Sequence, residues 1–63
     1  MTPIWYVCDG EVETYSGQEA DWKCSAVVIA PSPEEALIKV MQYHQQIINH
    51  VEVFHNGKTV VAI

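Results

Sequence analysis

The stretch Val27-Val28-Ile29-Ala30-Pro31-Ser32-Pro33-Glu34-Glu35-Ala36-Leu37 decides the fold, because a strand pattern ends in it and a helix pattern begins. Ser32 stands where a helix N-cap is needed. Pro33 suits the first helical position, where its missing N–H would have no partner in any case. Glu35, three residues after Ser32, completes a capping box, and two glutamates in the first turn suit the positive end of the helix dipole. Downstream, Ala36, Leu37, Val40, Met41, His44, Ile47 and Ile48 recur at helical spacing and predict one broad apolar stripe. Lys39, Gln42, Gln45 and Gln46 fall opposite it, and Ile38 projects from that polar side. Asn49 is the expected C-terminal cap.

Upstream, Trp22 to Ala30 reads as a strand. Its even positions, Trp22, Cys24, Ala26, Val28 and Ala30, are all apolar and predict the core face. Val27 and Ile29 make its far end apolar on the other face too. Earlier still, Ile4-Trp5-Tyr6-Val7-Cys8 and Glu11-Val12-Glu13-Thr14-Tyr15 flank Asp9-Gly10. That dipeptide fits a two-residue turn needing positive φ at both positions. The register pairs Cys8 with Glu11 and Val7 with Val12. Trp5, Val7, Val12 and Thr14 then share the core face, while Ile4, Tyr6, Cys8, Glu11, Glu13 and Tyr15 share the other. Ser16 to Ala20 reads as a loop.

After the helix, Val51 to His55 and Lys58 to Ile63 flank Asn56-Gly57, a second hairpin of the same kind. One of its faces carries Val51, Val53, Val60 and Ala62; the other carries Phe54, Val61 and Ile63 with Glu52 and Thr59. The whole pattern predicts a single α+β domain over residues 1–63: a β-β-β-α-β-β antiparallel sheet with one helix packed on one face. One helix covers one side, so apolar surface around Val27, Ile29, Phe54, Val61 and Ile63 is expected to stay open on the other.

Composition narrows the function. The 63 residues hold eight acids, three lysines and no arginine, for a net charge of −5, and 49 % are hydrophobic. So apolar a chain is not a disordered tail, and so short a one buries only roughly 60 % of its unfolded surface. Phosphate and base-edge contacts rest mainly on Arg and Lys. With only Lys23, Lys39 and Lys58, scattered, direct nucleic-acid binding is not expected, and a basic protein surface is the better-matched partner. No apolar run is long enough for a membrane span, and no leader-like N-terminus is visible. Cytoplasmic location is expected, with Cys8 and Cys24 as free thiols.

The candidate binding residues are Asp9, Glu11, Glu13, Glu19 and Asp21, an acidic stretch without a lysine among the acids up to Asp21, with the aromatic anchors Tyr6, Tyr15 and Phe54. On a strand, Glu11 and Glu13 stand about 6.8 Å apart on one side, roughly imitating the regular charge of a nucleic-acid backbone. A solvated face that merely keeps the chain soluble is the competing reading. Tyr6, Tyr15 and Phe54 could equally complete the core of a twisted sheet.

His44 is expected to face the sheet within reach of Cys24. Imidazole and thiolate are both zinc ligands, and the same pair could act as base and nucleophile. No CxxC or HxxxH accompanies them, and no orienting acid or oxyanion hole is recognisable. A partly buried histidine bonded to backbone or water is therefore the preferred reading, with no catalytic residue, no metal and no cofactor assigned. A tautomerase-type N-terminal proline amine is also missing, since loss of Met1 would expose Thr2. Cys8 and Cys24 fall on opposite faces, which disfavours a disulfide.

A short acidic one-helix sheet protein carrying Asp9, Glu11, Glu13, Glu19 and Asp21, with no enzymatic motif, resembles the small phage and mobile-element inhibitors of the anti-CRISPR type. That resemblance implies a non-enzymatic inhibitor that occupies a nuclease complex, sometimes as a DNA mimic, inside a bacterial host cell. The passage from Val27 to Leu37, a strand running into S-x-E-E-A-L, is similar to the strand-to-helix passage of HicB-type antitoxins, which implies an antitoxin with a partial RNase H-like fold. The chain departs from that pattern elsewhere and has no segment matching a DNA-binding domain. The expected function is thus protein binding through an acidic, partly apolar surface. The alternatives are a HicB-like antitoxin, a homodimeric structural module, or a small metal-binding or Cys/His enzyme.

Overall fold

The computed structural model describes residues 2–63. It contains β1 (Ile4–Cys8), β2 (Glu11–Thr14), β3 (Ser25–Ile29), α1 (Pro33–His44), β4 (Val51–His55) and β5 (Lys58–Ala62), in the expected β-β-β-α-β-β order. Strands β2-β1-β3 form one antiparallel sheet and β4-β5 a second. Two backbone bonds join them: the Ile29 amide donates to the Ile63 carbonyl (2.7 Å) and the Ile63 amide to the Val27 carbonyl (3.0 Å). That alternation is a parallel ladder, so the strands run in the order β2-β1-β3-β5-β4 with β2 and β4 at the edges.

Both hairpin turns form as the dipeptides dictate. Asp9 and Gly10 have φ of 50° and 80°, Asn56 and Gly57 of 49° and 80°. Cys8 pairs with Glu11 and Val7 with Val12. Because β1 also pairs with β3 (Tyr6 opposite Val27, Val7 opposite Ala26), it is the central strand of its sheet. The Trp5 indole N–H donates to the Ala30 carbonyl at 2.8 Å and closes one end of that pair.

The helix begins as expected: the Ser32 hydroxyl accepts from the Glu35 amide at 3.2 Å. It ends five residues before Asn49. Gln46 adopts φ 61°, its amide donates to the Tyr43 carbonyl, and the Ile47 amide reaches back to Gln42. This is a Schellman motif with glutamine at the left-handed position that glycine usually fills. The apolar stripe is rotated relative to its prediction. Ala36 is buried; Leu37, Val40, Tyr43 and Ile48 pack against Val7, Ala26, Val28, Ala30 and Ile63, whereas Met41 and Ile47 are each 63 % exposed. Tyr43 takes the place expected for His44, which is exposed. A tyrosine offers more apolar area to the sheet than a histidine does, and it decides the rotation.

The opposite face is closed, contrary to expectation. Val27 is 3 % exposed and clusters with Tyr15 and Ala62; Ile4, Tyr6, Ile29, Val53, Val60 and Ala20 pack around them. The hairpin extends this face sideways, and the segment after Tyr15 crosses over it, pinned where the Tyr6 hydroxyl donates to the Glu19 carbonyl at 3.0 Å. Ile63 is likewise buried, on the helix side. Of the five residues expected to stay open, Phe54 and Val61 do, but on the helix side of the sheet, while Val27 and Ile63 are buried and Ile29 partly so. Phe54 (76 % exposed) and Val61 share the hairpin face that Ile63 continues under the helix, and α1 contacts only β1, β2 and β3.

Strand β3 is shorter than its prediction. Trp22 has φ 63°, a conformation that costs an L-residue roughly 1–2 kcal/mol, and Cys24 is exposed rather than core. Trp22 is held by contacts on the helix side, its ring centroid 4.3 Å from that of His50 and 5.8 Å from that of Tyr43.

Candidate functional site

Pairing in the first hairpin sets Tyr6 opposite Glu13 and Cys8 opposite Glu11. These four side chains project from the face away from the helix and, with Asp9, line a shallow groove along β1 and β2. Asp9, Glu11 and Glu13 are exposed, Tyr6 half-buried. The Glu13 carboxylate accepts from the Gln18 side-chain amide at 2.7 Å, so a neutral donor, not a lysine, is the partner that steadies it. One of the three lysines is engaged far away, Lys39 donating to the Ile29 carbonyl at 2.7 Å. The groove is therefore a lightly balanced negative strip with one aromatic wall.

The other predicted binding residues separate. Glu19 lies beside the groove, its backbone carbonyl bound by Tyr6 and its carboxylate exposed. Tyr15 is a correction: at 5 % exposure it belongs to the core, its ring 4.8 Å from that of His55. It sits where β2 ends and the crossing loop begins, which is why an outward register position becomes an interior one. Phe54 lies near the opposite edge of the sheet, on the helix side, and shares no surface with the acidic strip.

Asp21 is exposed, yet its carboxylate is engaged within its own turn. One oxygen accepts from the amides of Lys23, Cys24 and Ser25, each at 3.0 Å, and from the Ser25 hydroxyl at 3.1 Å. The other oxygen accepts from the Cys24 thiol at 3.2 Å. The amide of Lys23, then the thiol and amide of Cys24 and the amide of Ser25, hold the Asp21 carboxyl well below the usual carboxylate range. The same contact pushes the Cys24 thiol up, since a thiolate there would face a carboxylate. Asp21 thus forms and holds its own turn. The sequence signal for it, an Asp with free amides two to four residues on, was available.

The Cys24–His44 site does not assemble. Cys24 bonds Asp21, and His44 is exposed beside Tyr43, ring centroids 6.0 Å apart. Both thiols are free. Among the described residues, no three His, Cys, Asp or Glu side chains group closely enough to hold a metal ion. The His55 Nε2 is buried without a hydrogen-bond partner, a cost accepted where its ring packs on Tyr15. Among the described residues, no helix is long and apolar enough to cross a membrane.

No family model matches the chain, and no curated protein or solved structure is significantly similar to it.

Proposed function

We infer that the protein is a non-enzymatic binding protein, acting in the cytoplasm of a bacterial host, that occupies the basic, nucleic-acid-binding surface of a larger protein in the manner of the anti-CRISPR inhibitors it resembles. The observation that supports this is the groove lined by Tyr6, Asp9, Glu11 and Glu13. The Glu11 and Glu13 carboxylates are spaced along one strand and, like Asp9 in the adjoining turn, exposed, with no lysine paired to them across β1 and β2. Opposite potentials speed encounter and fix orientation, and an aromatic wall supplies an anchor. A rigid strand keeps the charges at a fixed spacing, which a loop would not.

Capture from a bacterial lysate tests this. A basic partner is retained at low ionic strength and released as salt is raised, because exposed charge pairs are screened beyond about 8–10 Å. The Glu11→Lys, Glu13→Lys double variant, altered only at exposed edge-strand positions, retains nothing. Equal retention by the variant and the unmodified protein would sink the acidic-groove mechanism.

A further inference from the structure

We propose that β4 is a self-pairing edge, through which a second copy of this chain adds antiparallel to form one continuous ten-stranded sheet. The two free edges, β2 and β4, differ. Strand β4 contacts no element but β5, so its outer side presents unpaired backbone groups along Val51–His55. Exposed edges are ordinarily protected by charged side chains, lysine above all, by proline or by a bulge. Strand β4 has no lysine, proline or bulge and a single acid, Glu52, and its pairing with β5 is regular from Val51 to His55. Strand β2 carries two acids, Glu11 and Glu13.

Registers decide between the edges. A two-fold axis normal to the sheet keeps each face on its own side, so residues of equal parity oppose one another. Through β2, such registers set Glu11 against Glu13, or one of them against itself, and directly opposed like charges are destabilising. Through β4, the register centred on Val53 sets Glu52 against Phe54 of the second copy, and Phe54 against Glu52, with no like-charge pair. The hydrogen-bonding phase agrees. His55 and Lys58 close a two-residue hairpin and exchange bonds, so alternation turns the N–H and C=O of Glu52 and Phe54 outward. The residues that this register opposes are therefore those with free backbone groups.

The surface beside the edge supplies the apolar contact that strand addition needs. Phe54 is 76 % and Val51 49 % exposed, and Val61 adjoins Phe54's face. Both helices lie on one side of the ten-stranded sheet, and because neither reaches its own hairpin, Phe54 and Val61 of the two copies floor the trough between them. The charge distribution is compatible. Net charge of −5 per copy opposes association, yet the acidic strands end at the two far rims. A 63-residue chain also gains from a partner the core area it lacks.

Sedimentation equilibrium of the intact protein across low to high micromolar concentration tests the proposal. The expected species is a dimer. Phe54→Glu sets a carboxylate against Glu52 of the second copy and weakens dimerisation at least about tenfold, and adding Glu52→Lys restores it. Both positions are exposed, and an unchanged far-ultraviolet spectrum shows that the variants fold. A monomer throughout, a dimer indifferent to Phe54→Glu, or failure of the paired swap to restore it would overturn the proposal. So would recovery of β4 bound only to a segment of another protein. Loss of the acidic groove leaves each of these outcomes unaffected.

Discussion

The amide of Ile29 donates to the carbonyl of Ile63 at 2.7 Å, and the Ile63 amide returns to β3 at Val27, 3.0 Å away. Through this pair the C-terminal hairpin becomes part of the sheet. The buried Ile63 side chain reaches the helix side, while Ala62, the residue before it, fills the opposite cluster. Ile63→Ala should cost about 2–5 kcal/mol, as removing buried aliphatic groups does. That is a large part of the roughly 5–15 kcal/mol holding a small domain together. Urea denaturation measures it, with Val61→Ala expected to stay within about 0.5 kcal/mol.

Gln46 adopts φ 61° at the end of α1, where glycine avoids the Cβ penalty. Gln46→Gly should stabilise the protein by about 1 kcal/mol, raising the thermal midpoint by about 4–8 °C in a domain of this size. Asn49→Gly, three residues later, should bring no such gain. Circular dichroism melts of the two variants make the comparison.

The Asp21 carboxyl is held below its usual value of 3.8 by the amides and thiol around it. A group with a depressed folded-state pKa contributes stability that is full above its unfolded value. That contribution is lost as pH falls through the folded value. The urea midpoint should therefore decline below about pH 4, and less steeply in Asp21→Asn. The raised Cys24 thiol should alkylate slowly at neutral pH despite its exposure, and faster in Asp21→Asn. Iodoacetamide kinetics followed by mass spectrometry report this.

Local chemistry made most of the fold readable. Asp9-Gly10 and Asn56-Gly57 fix two hairpins and their registers because only a few residue types accept two consecutive positive φ values. Ser32 and Pro33 fix the helix start for similar local reasons. The helix end was not readable, since Gln46 carries no preference for its left-handed conformation and tertiary packing of Tyr43 and Ile48 imposes it. The same competition rotated the stripe away from Met41 and His44.

The binding surface was partly readable. Strand alternation placed Tyr6, Glu11 and Glu13 together, as found. Nothing local indicates that the loop after Tyr15 folds back over the sheet, so Tyr15 and Val27 looked open and are closed. Separating Phe54 from the acids needed the strand order, which depends on Ile29 and Ile63, residues more than thirty positions apart.

The most direct test of the account is competition at the partner's own surface. Binding of the captured partner to labelled nucleic acid is measured by fluorescence anisotropy while this protein is titrated in. The account predicts that nucleic acid is displaced, less effectively as salt rises, and not at all by the Glu11→Lys, Glu13→Lys variant. A ternary complex in which the partner holds nucleic acid with unchanged affinity would contradict it.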